Sequence, residues 1–489
     1  MSLIRKKLNL KLSKQAFPFQ KEALDVIKNQ EYFAIFHEQG LGKTKIAIDL
    51  SFYWLEENIV DSVLIVTKKS LINNWDEEFK IHGNIEPLIL TNDRTNNSQK
   101  FLSAGAIYLC NYELIRNDIE RFLIFCNMRK IGIILDESTQ IKTPTSNISK
   151  SLHKLAPSCN RRLIMTGTPI SNRPYDIWSQ IYFLDFGKRL GQIFDNFRDD
   201  HDLTNNLYKS KSSQMIYKNN LEVLYKKIKD CSLRETKESA GINLPGKKFI
   251  GINVDMDSQQ MLLYKKMQIE LSAEVLKDGR VISEDVEVIL KRLIRLVQIS
   301  SNPSLVDERY KNIPPKLIET EKIIKKAFNE KSKVIIWTNF VDNAKYLINY
   351  FNSHSFVGIH GDIKTDERNK IISSFRNNEN TKVLIATPGV AREGLTLVEA
   401  NYAIFFDRNF SLENYLQAQD RIYRISQEKD CYIYKLISKN SIDLWVDALL
   451  EAKEISARFG QGDINENEYS NRIKFDFSEL LQKILSGED

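Results

Sequence analysis

The sequence predicts an α/β protein built from two tandem doubly wound parallel-sheet domains with helical insertions between them. The first observation is that short, apolar, β-branched runs alternate with helical segments twice along the 489-residue chain. The second is the hydrophobic share of 42%, which is ordinary for a globular protein with a large core. The third is a glycine-rich loop directly after the first predicted strand, where such a fold binds phosphates.

Near-continuous apolar runs indicate parallel strands that are buried on both faces. We predict five strands in each of two series. The first series is Tyr32–Phe36, Val63–Thr67, Ile107–Leu109, Ile131–Leu135 and Arg162–Met165. The second series is Val334–Thr338, Val357–His360, Val383–Ala386, Tyr402–Phe406 and Tyr432–Leu436.

The stretch between the two series is rich in Lys, Asn and Leu and is mostly helical in pattern. We therefore expect four parts: an N-terminal domain over 1–185, a helical insertion and interdomain linker over 186–325, a C-terminal domain over 326–460 and a tail over 461–489. A helix is expected from Ser441 to Phe459, with a stop at Gly460. A second, short helix is expected over Phe475–Leu485 in the tail.

Several protein classes are disfavoured by composition. No apolar run reaches the 18 residues that a membrane span needs, so we expect no membrane partner. The N-terminus lacks the apolar stretch of a secretory signal. The five cysteines are scattered, which argues against a disulfide framework or a zinc site. We expect a cytoplasmic protein, in a bacterial cell or an infected host cell.

Positive charge is concentrated in two places. The net charge is +6, but residues 1–14 hold five Lys or Arg and no acid, and residues 204–237 hold eight against three acids. Such patches suit a polyanion, although a solvated helical face is the alternative. Within the second patch, the candidate contacts to a polyanion are Lys209, Lys211, Lys226 and Lys227.

A phosphate site is predicted at Gly40-Leu41-Gly42-Lys43-Thr44, between a strand and a helix. Glycines at Gly40 and Gly42 let backbone N–H groups approach phosphates at the helix N-terminus. Lys43 would reach the β- and γ-phosphates, and the Thr44 hydroxyl would bind Mg²⁺. The strict pattern has glycine where His37 stands, so this is a variant loop.

Two acids end the strand Ile131–Leu135, at the sheet edge where the phosphate loop also opens. Asp136 can hold Mg²⁺, and Glu137 can polarise a water for attack on the γ-phosphate. An exposed acidic turn is the alternative for this pair alone. Together with the loop, the pair predicts hydrolysis of a nucleoside triphosphate.

Two arginines late in the chain suit the same reaction. Arg421 and Arg424 are spaced i, i+3, which predicts that they share one face of a helix. A guanidinium pair can stabilise charge that develops on the γ-phosphate. Two surface arginines paired with local acids are the alternative.

The ordered segments from about Phe17 to Leu444 resemble superfamily 2 helicases and, within them, compact bacterial or viral Swi/Snf-type ATP-dependent DNA translocases. The resemblance rests on Phe17-Pro18-Phe19-Gln20, the phosphate loop, the acidic pair, Thr166-Gly167-Thr168-Pro169 and the segment from Gln417 to Gln427. The stretch Leu233–Lys237 resembles the linker of the Swi/Snf type.

The resemblance implies roles for further residues. Gln20 would read the adenine edge, and Thr166, Gly167, Thr168 and Gln417 would couple the nucleotide site to DNA. The segment with Thr67 and Trp75 would be a loop on the nucleic-acid backbone. Thr139 replaces a histidine that is usual in the family.

The resemblance also implies two RecA-like domains, ATP and Mg²⁺ as cofactors, and a monomer that works as a DNA-dependent ATPase or helicase. Its partner would be double-stranded or branched DNA, with replication or recombination proteins as further partners. The expected task is fork remodelling or branch migration in replication, recombination or repair. The alternatives are a motor that displaces proteins from DNA, a non-catalytic DNA-binding scaffold, a phosphate-loop kinase and the motor subunit of a restriction system.

Overall fold

The computed structural model describes residues 15–83, 85–103, 105–202, 211–242, 244–277, 280–281, 286–391, 396–424, 426–472 and 477–486. The predicted DNA contact Lys209 and the basic run in residues 1–14 lie outside these residues.

The chain forms two compact units. Undescribed residues aside, the N-terminal unit is made of Met1–Asp202, Lys218–Asn243 and Gly460–Gly462, and the C-terminal unit is made of Leu203–Tyr217, Leu244–Phe459 and Asp463–Asp489.

The N-terminal unit contains a seven-stranded sheet in which every pair of neighbours is parallel, with the strand order β3-β4-β2-β5-β6-β1-β7. Its strands are β1 (Tyr32–Ile35), β2 (Ser62–Thr67), β3 (Leu88–Ile89), β4 (Ile107–Asn111), β5 (Ile131–Asp136), β6 (Arg161–Met165) and β7 (Ser232–Leu233). The first series of predicted strands is confirmed. β1, β2, β5 and β6 are almost wholly buried, as their apolar runs predict.

Helices follow the strands of this sheet. They are α1 (Pro18–Ile27), α2 (Lys43–Glu56), α3 (Ile72–His82), α4 (Arg94–Leu102), α5 (Tyr112–Asn117), α6 (Ile119–Met128), α7 (Asn147–Leu155), α8 (Trp178–Asp185), α9 (Phe194–His201) and α10 (Lys211–Ile228), of which residues 218–228 belong to this unit. The core joins the inner faces of α2 and α3 to the central strands, with Trp54 and Trp75 among its largest side chains.

The C-terminal unit contains a six-stranded parallel sheet in the order β12-β13-β11-β14-β15-β8, and a separate antiparallel pair, β9 and β10. The strands are β8 (Lys247–Val254), β9 (Leu276–Lys277), β10 (Arg280–Val281), β11 (Lys333–Trp337), β12 (Phe356–Ile359), β13 (Val383–Ala386), β14 (Ala400–Phe405) and β15 (Cys431–Ser438). The second series of predicted strands is confirmed.

The helices of this part are α11 (Ser258–Val275), α12 (Val286–Ser301), α13 (Pro315–Asn329), α14 (Val341–Phe351), α15 (Thr365–Asn377), α16 (Pro388–Ala391), α17 (Leu412–Gln419), α18 (Ile442–Gly460), α19 (Glu466–Arg472) and α20 (Phe477–Ser486). The predicted helices at 441–459 and 475–485 therefore correspond to α18 and α20. None of the helices within the described residues is long and apolar enough to cross a membrane.

Five strands of the described residues were not predicted: β3 in the N-terminal unit, and β7, β8, β9 and β10 in the stretch that was expected to be mostly helical. All of these except β8 have only two residues, too few for a pattern. β8 is an edge strand with alternating exposure, and Lys247, Lys248 and Asn253 interrupt its apolar residues. Continuous apolar runs mark strands that are buried on both faces, so an edge strand of this kind gives a weaker signal.

Candidate functional site

The phosphate loop lies between β1 and α2 and requires glycine at two positions. Gly40 and Gly42 have φ values of 88° and 69°, in the left-handed region that favours glycine. A Cβ on Gly42 would lie 2.4 Å from Nε2 of Gln20, so space is also lacking there. Since Gly42 caps the 14-residue helix α2, the loop lies at a helix N-terminus, which favours negative charge.

Lys43 and Gln20 hold this loop from two sides. Lys43 Nζ donates to the carbonyl oxygens of His37 (2.9 Å) and Glu38 (3.2 Å). Gln20 is buried, its Nε2 donates to the Leu41 carbonyl (3.2 Å), and its Oε1 accepts from the Phe17 amide (2.9 Å). Both ends of the Gln20 amide already bond the backbone, so its role in reading adenine stays a prediction.

Asp136 ends β5 and is buried beside this loop. Its Oδ2 accepts from Thr67 Oγ1 (2.9 Å) and Trp75 Nε1 (2.8 Å). Burial raises the pKa of Asp136 and the negative charge of Glu137 raises it further, while the two hydrogen bonds and the Lys43 charge act in the opposite direction.

The residues fit a Mg²⁺ ion. A divalent cation at Asp136 would relieve the repulsion that Glu137 exerts on it, and carboxylate and hydroxyl oxygens are ligands that Mg²⁺ prefers. Thr44, the second residue of α2, offers such a hydroxyl.

Glu137 has a strained backbone and a defined neighbour. Its φ of 54° is in the left-handed region, which is uncommon for a residue other than glycine and is found at functional sites. Its Oε2 accepts from Thr166 Oγ1 at 3.4 Å, and Thr166 Oγ1 accepts from the Thr168 amide at 3.2 Å. The structure thus brings the predicted base and the predicted coupling turn together.

Gly167 fits this turn against the phosphate loop. A Cβ on Gly167 would lie 2.6 Å from Cγ of Gln39 and 3.1 Å from its amide nitrogen, so only glycine allows this approach. The acidic pair, the turn and the loop therefore form one site within the N-terminal unit.

Gln180 is a member of this arrangement that the sequence did not indicate. Its Oε1 accepts from Ser138 Oγ (2.7 Å), and its Nε2 donates to the Pro169 carbonyl (2.9 Å). It therefore ties the segment after Glu137 to the turn after Thr168. The one available signal was an amide residue in the largely apolar helix α8.

Four buried side chains near the site have polar atoms without a hydrogen-bond partner among the described residues. They are His37, Gln39, Thr139 and Thr168. Burial, with the charges of Lys43 and Arg234, lowers the pKa of His37 to about 3, so its ring is neutral at physiological pH. Buried polar groups are normally satisfied, so these side chains are suited to hydrogen-bond a polar ligand at this site.

The two arginines of the C-terminal unit do not lie on a helix face, which corrects that prediction. α17 ends at Gln419, and both arginines follow in a turn. Arg421 Nε donates to the Gln417 carbonyl (3.1 Å) and Arg424 Nε to the Asp420 carbonyl (2.9 Å). Carbonyls at a helix end have no intrahelical partner, and these side chains satisfy them instead.

Gln417 lies on α17, and Arg424 has a second contact in the same unit. The Gln417 side chain is buried, its Nε2 donates to Glu413 (3.3 Å), and its Oε1 has no partner in the described part of the chain. Arg424 Nη1 donates to Thr396 Oγ1 at 2.6 Å.

The segment expected on the nucleic-acid backbone is divided between the core and the surface. Thr67 and Trp75 are buried on Asp136, so they cannot contact DNA, and this part of the expectation is wrong. Lys69, Ser70 and Asn74 are exposed. The segment is divided because the Trp75 indole packs against Asp136 at the end of β5, while its neighbours face solvent.

The basic stretch 204–237 is less available to DNA than its charge count predicts. Lys226 is paired with Glu222 at 2.7 Å, and Lys227 is exposed near the end of α10, the helix that begins at Lys211. Arg234 and Lys237 instead bond the phosphate loop region. Two of the eight positive charges thus belong to the nucleotide site.

Two models of protein families match the sequence of this chain. A model described as the SNF2-related domain matches residues 20–305, and one described as the helicase conserved C-terminal domain matches residues 316–426. The chain belongs to the SNF2-related family. The resemblance inferred from the sequence is thereby confirmed, and this SNF2-related chain has the domain content of an ATP-dependent helicase core.

Two relatives of the SNF2-related chain illustrate its similarity to curated proteins. It is 25% identical over 94% of its length to the ISWI chromatin-remodeling complex ATPase ISW1 of Saccharomyces cerevisiae, covering 41% of that protein. It is 27% identical over 88% of its length to an ATP-dependent helicase of Mycoplasma pneumoniae, covering 40% of it. The chain thus spans about two fifths of the length of these relatives.

Solved structures also match. The Sulfolobus solfataricus SWI2/SNF2 ATPase core in complex with dsDNA is 24% identical, with 97% of this chain and 99% of that chain covered and a TM-score of 0.43. The core domain from the same organism is 26% identical, with 96% of each chain covered and the same TM-score.

Proposed function

We propose that this SNF2-related chain hydrolyses ATP and uses the energy to move along double-stranded or branched DNA. The observation that carries the proposal is the site in the N-terminal unit, where Lys43, Asp136, Glu137 and Thr166 surround a glycine loop at a helix N-terminus. Membership of the SNF2-related family and relatives named as ATPases and ATP-dependent helicases support it.

The binding step would use groups that now bond the protein itself. Lys43 would exchange its bonds to the carbonyls of His37 and Glu38 for phosphate oxygens, and the backbone around Gly40 and Gly42 would face the same oxygens. Thr44 and Asp136 would hold Mg²⁺, which neutralises phosphate charge when bound. Gln20 would contact the adenine edge by giving up one of its two backbone bonds.

The hydrolytic step would depend on Glu137. Its carboxylate would orient the attacking water and accept its proton, and Thr166 would fix the direction of that carboxylate. Arg421 and Arg424 would stabilise the developing charge, at the cost of their bonds to local carbonyls. The turn of Thr166, Gly167 and Thr168 would respond to loss of the γ-phosphate. Gln417 would act as a coupling residue in the C-terminal unit.

For the biological task we propose fork remodelling or branch migration in replication, recombination or repair, by a monomer in the cytoplasm of a bacterial or infected cell. The resemblance to compact bacterial and viral translocases supports this task, and the Mycoplasma pneumoniae relative, named as an ATP-dependent helicase, supports the helicase activity that it needs. Displacement of proteins from DNA is the second candidate, which the name of the yeast relative, a chromatin-remodeling complex ATPase, favours. A non-catalytic scaffold is disfavoured because the residues that hydrolysis needs are all intact. They are Lys43, Asp136, Glu137, Arg421 and Arg424.

The experiment is a steady-state ATPase assay with no nucleic acid, single-stranded DNA, duplex, fork, four-way junction and RNA in parallel. We expect strong stimulation by duplex or branched DNA and weak stimulation by RNA. Stimulation by single strands alone would contradict translocation on duplex DNA and favour conventional strand unwinding. A rate of zero under every condition would contradict the proposal and favour the scaffold.

A further inference from the structure

The segment of residues 232–237, called here the clamp segment, runs along the phosphate loop. Its first two residues form β7, which pairs in parallel with β1. Beyond the strand the pairing continues onto the loop, because the Phe36 amide donates to the Leu233 carbonyl and the Glu38 amide donates to the Glu235 carbonyl, each at 2.8 Å. The backbone of the clamp segment therefore supports the first part of the loop, at Phe36 and Glu38.

Arg234 joins the loop to the catalytic turn. Its Nη1 donates to the Phe36 carbonyl at 2.6 Å and to the Gly167 carbonyl at 3.2 Å. Phe36 begins the phosphate loop, and Gly167 follows Thr166, whose hydroxyl contacts Glu137. One guanidinium thus fixes the distance between the part of the site that binds phosphate and the part that directs the base.

Lys237 and Glu38 fasten the other end of the clamp segment. Lys237 Nζ lies 3.1 Å from Glu38 Oε1, and the Lys237 amide donates to Glu38 Oε2 at 2.8 Å. The lysine side chain is 6% exposed and the glutamate 30%, so removal of one partner leaves a charge with little solvent around it. The pair holds the loop residue Glu38 in place.

We propose that the clamp segment positions the phosphate loop for hydrolysis and that Arg234 is the positioning residue that aligns the loop with Glu137. The inference rests on the proposed ATPase function. It assigns Arg234 and Lys237 to the nucleotide site, although both belong to a stretch whose charge suggested DNA contact. Misplacement by about 1 Å can cost about 10²-fold in rate, so a positioning residue of this kind has a large expected effect.

The first test compares Arg234→Ala, Arg234→Lys and a matched control, Arg129→Ala. Arg129 is also half-buried in the N-terminal unit and donates to two carbonyls, those of Phe101 (2.9 Å) and Ser103 (2.8 Å), but contacts no part of the loop. We expect Arg234→Ala to lower kcat for ATP by about 10²-fold with a smaller change in KM. Arg234→Lys should recover part of kcat, and Arg129→Ala should keep kcat near the wild-type value.

The second test uses the ion pair. Glu38→Gln and Lys237→Gln should each lower kcat, and the double variant should lose less than the product of the two single effects, because neither partner is then left charged alone. Thermal unfolding of every variant, with assays run well below each Tm, separates alignment from loss of folded protein.

The outcomes separate this inference from the proposed function. An active wild type with an Arg234→Ala kcat close to that of Arg129→Ala would overturn the positioning role and leave the ATPase function intact. A wild type without ATPase under any DNA condition would contradict both. A low kcat in Arg234→Ala, with a Tm equal to that of Arg129→Ala, would support the positioning role of Arg234.

Discussion

Asp136 and Asp407 lie in comparable places in the two units but have different surroundings. Asp136 is the last residue of β5, and Asp407 follows the end of β14 by two residues, each at the carboxyl edge of a parallel sheet. Both side-chain hydrogen bonds of Asp136 go to Oδ2, and its pKa is raised by burial and by Glu137.

Asp407 is fully supplied with donors. Oδ1 accepts from the Asn339 amide (2.7 Å) and Nδ2 (3.0 Å). Oδ2 accepts from Ser301 Oγ (3.0 Å), Thr338 Oγ1 (2.5 Å) and Asn343 Nδ2 (3.1 Å). These donors come from the end of α12, from the end of β11 and from α14, so the carboxylate joins three parts of the unit.

The comparison shows that an acid at the end of a strand can serve either the stability of the fold or the binding of a ligand. A buried carboxylate with donors on both oxygens stabilises a fold, since its charge is already compensated. A buried carboxylate next to a second acid, with its pKa raised, is stabilised by a cation. Asp136 is therefore suited to ligand binding and Asp407 to structure.

The largest expected effects concern the chemistry at the N-terminal site. Glu137→Gln should lower ATPase by at least about 10²–10⁴-fold, because the amide cannot accept the water's proton, while ATP binding is kept. Lys43→Ala should abolish ATPase through lost phosphate contact. Steady-state ATPase and binding of a fluorescent ATP analogue measure these effects. Hydrolysis by Glu137→Gln at the wild-type rate would remove Glu137 from the role of base.

Arg424→Ala tests whether the C-terminal unit takes part in the chemistry. We expect a loss of about 10³-fold in kcat, since an arginine that stabilises transferring phosphate contributes on that order. DNA binding, measured by fluorescence anisotropy, should change little. Arg309→Ala, at an exposed arginine that pairs with Asp307 (2.8 Å), is the control in the same unit and should keep kcat. An unchanged kcat in Arg424→Ala would confine the catalytic site to the N-terminal unit.

Asparagine at the two aspartates tests the comparison directly. Asp407→Asn should destabilise the C-terminal unit by about 3 kcal/mol, because the amide nitrogen cannot accept the hydrogen bonds of buried donors. Asp136→Asn should leave stability equal or higher, since it removes a charge whose pKa is raised by burial, but should lower Mg²⁺-dependent ATPase. Denaturant unfolding and ATPase titrated with Mg²⁺ are the measurements. Equal losses of stability would contradict the distinction.

His37 predicts a pH dependence of stability. Its pKa is about 3 in the folded chain against an ordinary 6.5, so below pH 6.5 the unfolded chain binds a proton that the folded chain does not. Stability is therefore full above pH 6.5 and falls as the pH is lowered, by about 2 kcal/mol at pH 5. His37→Phe should remove this part of the pH profile, as measured by unfolding at several pH values. A pH profile of stability that is the same in His37→Phe and the wild type would contradict this role of His37.

The smallest expected effect belongs to Lys227, an exposed lysine near the end of α10. Lys227→Ala should reduce the slope of log affinity for duplex DNA against log salt by about 1, if it contacts one phosphate, and should leave stability within about 0.5 kcal/mol. Lys229→Ala is a neighbouring control. An unchanged slope would place the DNA contact elsewhere.

The sequence predicted both sheets and the main chemical residues because their signals are local. Apolar runs mark buried strands, and a glycine loop before a helix marks a phosphate site. Long-range hydrogen bonds have no such pattern, so Arg234, Gln180 and Asp407 were not assigned their roles. The helix predicted for Arg421 and Arg424 was wrong because the i, i+3 spacing does not show where a helix ends, and α17 ends at Gln419, before both arginines.

The most direct test of the central claim is single-turnover ATP hydrolysis with saturating duplex DNA, comparing wild type, Glu137→Gln and Asp407→Asn at a temperature where all three are folded. The account predicts fast hydrolysis by the wild type and by Asp407→Asn, and bound but intact ATP in Glu137→Gln. Equal hydrolysis rates in wild type and Glu137→Gln would contradict a catalytic site at the Asp136–Glu137 strand end.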